Sequence, residues 1–170
     1  MLRGRDKRLP VMKGVELEVH DLRDTLKHEI LMACDGSGKG RVAISIWNQG
    51  KILCNRAISI QSKIMTSNIA EYFAVCLGLE TLLEGDRYVK IPYKSVSIIA
   101  DSKLVVHQVS PLLGIEVNPP FKIRQRRLKV MADRVVSLWR QLENSGIQIT
   151  IKWASRETTA MWYTDSLIRT

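Results

Sequence analysis

The feature that most constrains this chain is a change of period after Ile60. Before it, three short apolar segments follow one another across two tight turns. Ile30 to Cys34 is a compact apolar run that suits a buried strand, and it ends at Asp35-Gly36-Ser37-Gly38-Lys39-Gly40. Val42, Ile44 and Ile46 then alternate with the two-residue period of a strand. Asn48-Gln49-Gly50 turns the chain, and Lys51 to Ile60 reads as a third strand. Three strands joined by short turns make an antiparallel meander. Beyond it the period becomes helical: Ile69, Phe73, Cys76, Leu77, Leu79 and Leu83 share one face, which Gly85 ends.

The second half alternates. Asp86 to Lys94, with Pro92, reads as a loop, and Val96 to Ala100 is a short β-rich run. Asp101-Ser102 opens a helix expected over Lys103 to Val109, and Pro111, Gly114, Pro119 and Pro120 punctuate a connection. A long amphipathic helix follows, with Leu128, Met131, Val135, Leu138, Trp139 and Leu142 on one face, stopped by Asn144-Ser145-Gly146. Ile147, Ile149 and Ile151 alternate as a last strand, and a short helix surrounds Asp165. The order β-β-β-α-β-α-α-β-α implies one mixed sheet with helices packed against it. Residues 1–28 are charged and mixed, with one weak helical stretch from Val15 to Leu26, and read as a basic extension to a domain spanning 29–170.

Charge then narrows the function. Twenty-six Lys and Arg against seventeen Asp and Glu leave +9 in 170 residues, with 45% apolar residues. That balance excludes an acidic disordered chain and favours a polyanionic partner, nucleic acid before an acidic membrane surface; solubility alone is the plainer explanation. No run approaches the ~18 apolar residues of a spanning helix, so no membrane role is expected. Arg3, Arg5, Lys7 and Arg8 are not followed by an apolar stretch of the secretory kind. They suit an organelle transit peptide, which Asp6 opposes. Cys34, Cys54 and Cys76 lack metal-type spacing and read as free thiols of a reducing, cytoplasmic setting. An organellar, viral or mobile-element origin stays open.

Four acids fall where this topology can gather them. Asp35 ends the first strand, Glu71 sits in the first turn of the first long helix, Asp101 ends the fourth strand, and Asp165 lies in the last helix. If the first and fourth strands are neighbours, Asp35 and Asp101 lie side by side. Clustered carboxylates repel one another unless cations separate them, so the cluster suits hard divalent metals. Two Mg²⁺ ions held this way can activate a water and stabilise the leaving oxygen of a phosphodiester. Each acid also has a plainer explanation. Asp35-Gly36 is a normal turn pair, Asn68 to Glu71 has capping-box spacing, Asp101 or Ser102 suits an N-cap, and Asp165 suits a solvated helix face.

Three segments carry a likeness to a known family. They are Ala33-Cys34-Asp35-Gly36-Ser37; Thr66-Ser67-Asn68-Ile69-Ala70-Glu71-Tyr72 running on to Gly78-Leu79-Glu80; and Ile98-Ile99-Ala100-Asp101-Ser102-Lys103-Leu104-Val105-Val106. In this order they resemble the type I ribonuclease H domain, over roughly Glu29 to Thr170. The resemblance implies a ribonuclease H-like α/β fold: a five-stranded mixed sheet, an antiparallel meander plus two parallel strands, with helices packed on both faces. It implies an endonuclease cutting the RNA strand of RNA–DNA hybrids with two Mg²⁺ ions, Mn²⁺ as substitute. Its catalytic and metal-binding acids would be Asp35, Glu71, Asp101 and Asp165. The fourth segment departs from the family pattern. Met161 and Thr164 stand where the family usually shows Asn and Ala. None of His20, His28 and His107 lies in the loop before the last helix, where Arg156-Glu157 stands instead.

Holding a hybrid needs two recognitions. Gly36, Ser37 and Asn68 can approach the 2′-hydroxyls and sugar edges of the RNA strand; turn geometry alone also explains the glycines. Lys122, Arg124, Arg126, Arg127 and Lys129 put five charges in eight residues. Among them Lys122, Arg124 and Arg127 are the expected phosphate contacts, with a solvated basic face as the alternative. Arg124, Arg127 and Arg134 are expected on one stripe of the long helix. Trp139 is expected in the core rather than as a stacking platform. The chain is expected to be monomeric. Two other functions stay open: a catalytically silent hybrid-binding or structural module, and a resolvase-like or transposase-like nuclease on the same fold.

Overall fold

Five strands form one sheet in the order β3-β2-β1-β4-β5. The structure is a computed structural model that describes residues 27–169. Of the expected N-terminal extension, therefore, only Lys27 and His28 are described. β1 (Glu29–Gly36), β2 (Arg41–Asn48) and β3 (Lys51–Ser59) are the antiparallel meander; β4 (Ser95–Ala100) and β5 (Gln148–Trp153) add in parallel beyond β1. The described residues add the helices α1 (Ser67–Leu83), α2 (Lys103–Leu112), α3 (Arg126–Asn144) and α4 (Thr159–Arg169), with a short 3₁₀ turn at Gly85–Arg87.

The alternation of β1 explains why helices lie on both faces. Ile30, Met32 and Cys34 join the main core with α1, α2 and α3, while Ala33 packs with Ile99, Ala160 and Met161 of α4. Trp139 is 2% exposed and belongs to the main core.

Five expectations are corrected. α1 is not a one-faced helix: Ala70, Tyr72, Ala74 and Val75 are buried as completely as Leu79, and Phe73 only partly. The sheet covers one side of it and α3 the other, which is the pattern of a central helix. α1 also starts earlier than its capping-box spacing suggests. Thr66 is the N-cap, and its side chain accepts the Ile69 N–H at 3.2 Å. Glu71 therefore sits beyond the first turn and caps nothing.

α2 does not stop at Val109. It runs through Pro111 to Leu112. A proline there lacks the N–H that would bond the His107 carbonyl, and Phe121 N–H takes that carbonyl instead at 3.0 Å. Finally, Arg124 lies before α3 rather than on it, and Met131 is only half-buried, with Ala132 taking the core position. Arg134 is tied to Glu80 of α1 at 2.7 Å, so the expected three-arginine stripe does not exist.

Among the described residues no helix is long and apolar enough to cross a membrane. Cys34 and Cys76 are buried and Cys54 partly buried, all as free thiols.

Candidate active site

Three elements end at one place, and each brings an acid. β1 and β4 run parallel with Cys34 opposite Ala100. The next residue on each strand is Asp35 and Asp101, so the two stand side by side at the carboxyl ends of neighbouring parallel strands. That end of an α/β sheet is where crevices form.

Glu71 comes from α1, and Gly36 lets it come close. A Cβ on Gly36 would meet the Ala70 carbonyl carbon and oxygen at 2.4 Å and the Glu71 nitrogen at 2.8 Å. Gly36 is not among the glycines with positive φ. Close approach of α1, not turn geometry, is what demands a glycine here. One carboxylate oxygen from each of Asp35, Glu71 and Asp101 lies within 4.8 Å of the other two.

The electrostatics of this group are strained. Burial raises the Asp35 pKa, and the charges of Asp101 and then Asp165 raise it further; Arg156 and the Gly36 N–H, 3.0 Å from Oδ1, act the other way. Glu71 is raised by burial first, then by the charges of Asp35 and Asp101. Glu71 Oε2 and Asp101 Oδ1 are buried with no hydrogen-bond partner. Unpaired buried oxygens in a close group of carboxylates are the donor set a hard divalent cation prefers, and magnesium or manganese fits it.

Two cations border the acids. Arg156, in the loop between β5 and α4, donates from Nε to Asp101 Oδ2. It occupies the loop in which sequence reasoning found no histidine. Asp165 lies apart from the three-acid group. Its Oδ2 accepts from Arg169 Nε one helical turn on, at 2.7 Å, and its side chain is 18% exposed. Its charge nonetheless reaches Asp35.

The departures Met161 and Thr164 are built into the α4 contact. Met161 is fully buried. Thr164 donates to the Ala160 carbonyl at 2.7 Å and shares a 2.7 Å bond with Ser45, whose oxygen also accepts from Trp47 Nε1.

Of the expected substrate residues, Gly36 and Ser37 adjoin Asp35 and lead the chain from β1 into its turn; Asn68 is half-buried at the start of α1. Lys122, Arg124 and Arg127 are exposed, the first two in the connection and the third in the first turn of α3. Sequence reasoning passed over Gln108. It is 4% exposed, and it accepts from Tyr72 Oη at 2.8 Å and donates to the Lys122 carbonyl at 3.2 Å. The signal was present: a polar residue at a core-facing position of α2.

No family model matches the chain, and no curated protein does. Solved structures do. The N-terminal RNase H domain of a Mycobacterium tuberculosis protein, solved as a fusion with maltose-binding protein, is 21% identical; the match covers 83% of this chain and 91% of that one, at a TM-score of 0.62. LC11-RNase H1 in complex with an RNA/DNA hybrid is 22% identical over 82% of this chain and 94% of that one, at 0.63. LC11-RNase H1 isolated from compost by a metagenomic approach gives 22%, 84% and 94%, at 0.64. At this identity the likeness fixes the fold, which is ribonuclease H-like.

Proposed function

We propose that this ribonuclease H-like chain is a metal-dependent endonuclease that hydrolyses the RNA strand of RNA–DNA hybrids. The observation that carries the reading is the trio of mutually close carboxylates, two buried and Asp101 half-buried, with two unpaired oxygens on a chain of net charge +9. Asp35, Glu71 and Asp101 would hold magnesium or manganese, and Asp165 would complete the set from α4. When bound, such ions supply the positive charge that polarises a phosphodiester oxygen and acidifies a water.

The protein's own groups do the rest. The acids hold one carboxylate oxygen each within 4.8 Å of the other two, with Glu71 Oε2 and Asp101 Oδ1 left unpaired. Arg156 holds Asp101 in place from the loop and offers a guanidinium at the rim, where a phosphate can take it over from the carboxylate. Ser37 and Asn68 would be the short polar groups that test for 2′-hydroxyls.

The basic segment supports the same reading. Arg126 and Arg127 open α3, and no acid lies in its first turn. Cations at a helix N-terminus oppose its dipole, so the local rule is broken where a polyanion would restore it. Among the described residues Lys122, Arg124 and Arg127 make no salt bridge.

The test is cleavage of an end-labelled RNA–DNA hybrid with Mg²⁺ or Mn²⁺, beside single-stranded RNA, duplex RNA and duplex DNA. Hybrid-only cutting of the RNA strand, lost in Asp101→Asn, is the expected result. A second reading, a silent hybrid-binding module, is favoured by Arg156 on Asp101 and by Met161 and Thr164 in α4. Tight hybrid binding without cutting would select it.

A further inference from the structure

The connection between α2 and α3 carries Lys122 and Arg124, which make no salt bridge among the described residues, yet it is fastened to α2 at Pro119, Phe121 and Lys122. His107 Nδ1 lies 2.6 Å from the Pro119 carbonyl, and its ring packs on Phe121 with centroids 4.7 Å apart. Phe121 N–H bonds the His107 carbonyl that Pro111 leaves without its helical donor. One residue on, the buried amide of Gln108 donates to the Lys122 carbonyl and accepts from Tyr72. Tyr72 is fully buried and is the neighbour of Glu71 on α1.

A buried amide linking three elements is costly to leave half-satisfied, so it specifies one arrangement. We infer that Gln108 is a positioning residue for the nucleic acid, locking the basic segment Lys122–Arg127 at a fixed offset from the helix that carries Glu71. The inference rests on the proposed hybrid substrate. Backbone fixation matters here because long Lys and Arg side chains are floppy. A segment anchored at its carbonyls loses less freedom when phosphates bind.

The test compares Gln108→Met, which keeps bulk but removes both bonds, with Tyr72→Phe, which removes only the α1 side of the link. Hybrid binding is read by fluorescence anisotropy in EDTA across a salt series, and amide exchange is read over residues 121–127. Gln108→Met is expected to weaken binding by about three- to tenfold and to lower the salt slope by about one. It also speeds exchange of the segment. Tyr72→Phe loses stability but keeps affinity and slope. Should Gln108→Met not fold, His107→Ala loosens the same connection from its exposed side and should shift affinity in the same direction.

Faster exchange with unchanged affinity and slope would overturn the positioning role and leave the hybrid reading intact. So would equal losses in the two variants, which mark a merely structural bond. Absence of hybrid binding by the wild-type chain would overturn the functional reading and the role with it.

Discussion

The two faces of the sheet are built to different depths. On one, a continuous core runs from Ile30 through α1, α2 and α3 to Ile151. On the other, the apolar cluster is Ala33, Ile99, Ala160 and Met161, and the short helix α4 also buries Thr164 and Ile168. The acids divide along the same line. Glu71 is carried by the central helix of the deep face, and Asp35 and Asp101 by the central strands. Asp165 and the Arg156 loop belong to the shallow face, where both side chains are more exposed. Three acids are therefore carried by the central strands and the central helix, and the fourth by a helix packed on β1 and β2 from the opposite face. The first three are set in one close group; the fourth, paired with Arg169, is the adjustable one.

Catalysis gives the largest expected contrast. Asp101→Asn should cut cleavage by ~1,000-fold or more, about 4 kcal/mol of barrier, without loss of fold. Asp165→Asn should cost only about 10- to 100-fold, because Asp165 stands outside the close group and is paired with Arg169. Equal losses in single-turnover assays would erase the distinction between set and adjustable acids.

Stability should follow depth. Leu79→Ala, in the deep core, is expected to cost about 4 kcal/mol, and Met161→Ala, on the shallow face, nearer 2 kcal/mol; urea melts decide. The reverse ranking would mean that α4 is held as firmly as α1.

A pH effect should appear next. Asp35 and Glu71 have folded pKa values raised above the ordinary carboxylate range. Raised acids bind protons more tightly in the folded state, so their strain is absent at low pH and grows as pH rises from that range through the raised values. In EDTA the melting temperature should fall over that interval. Glu71→Gln should flatten the fall, and Mg²⁺ should oppose it. A metal-free melting temperature that climbs instead would show that the trio is not strained.

The smallest effect belongs to Thr164→Val. It removes the bond to Ser45, which leaves Ser45 only Trp47 as a partner, and should cost about 1 kcal/mol. A loss in cleavage larger than that in stability would show that α4 placement feeds directly into the site.

Element order was legible because period-two and period-3.6 apolar patterns are local. Strand adjacency was legible only as a condition: Asp35 stands beside Asp101 if β1 and β4 are neighbours, and the sheet order makes them so. The start of α1 was misread because Asn68 and Glu71 imitate a cap while Thr66 supplies the real one. The persistence of α2 past Pro111 was hidden because the replacement donor, Phe121, comes from ten residues beyond the proline. The same reason hid Gln108: its partners lie on α1 and in the connection, and no local pattern marks a bond of that span. Arg156 was visible as a residue but not as a partner of Asp101, since loop geometry has no period.

The contact at Gly36 has a consequence for anyone altering this protein. The gap between Asp35 and Glu71 is set where one main chain rests against another, with no side chain between. Such a stop cannot creep as core residues are exchanged. Variants of the meander and of α1 away from its close approaches to β1 can therefore be screened for stability with the gauge of the acid pocket held, and Gly36→Ala would be a small change that resets it.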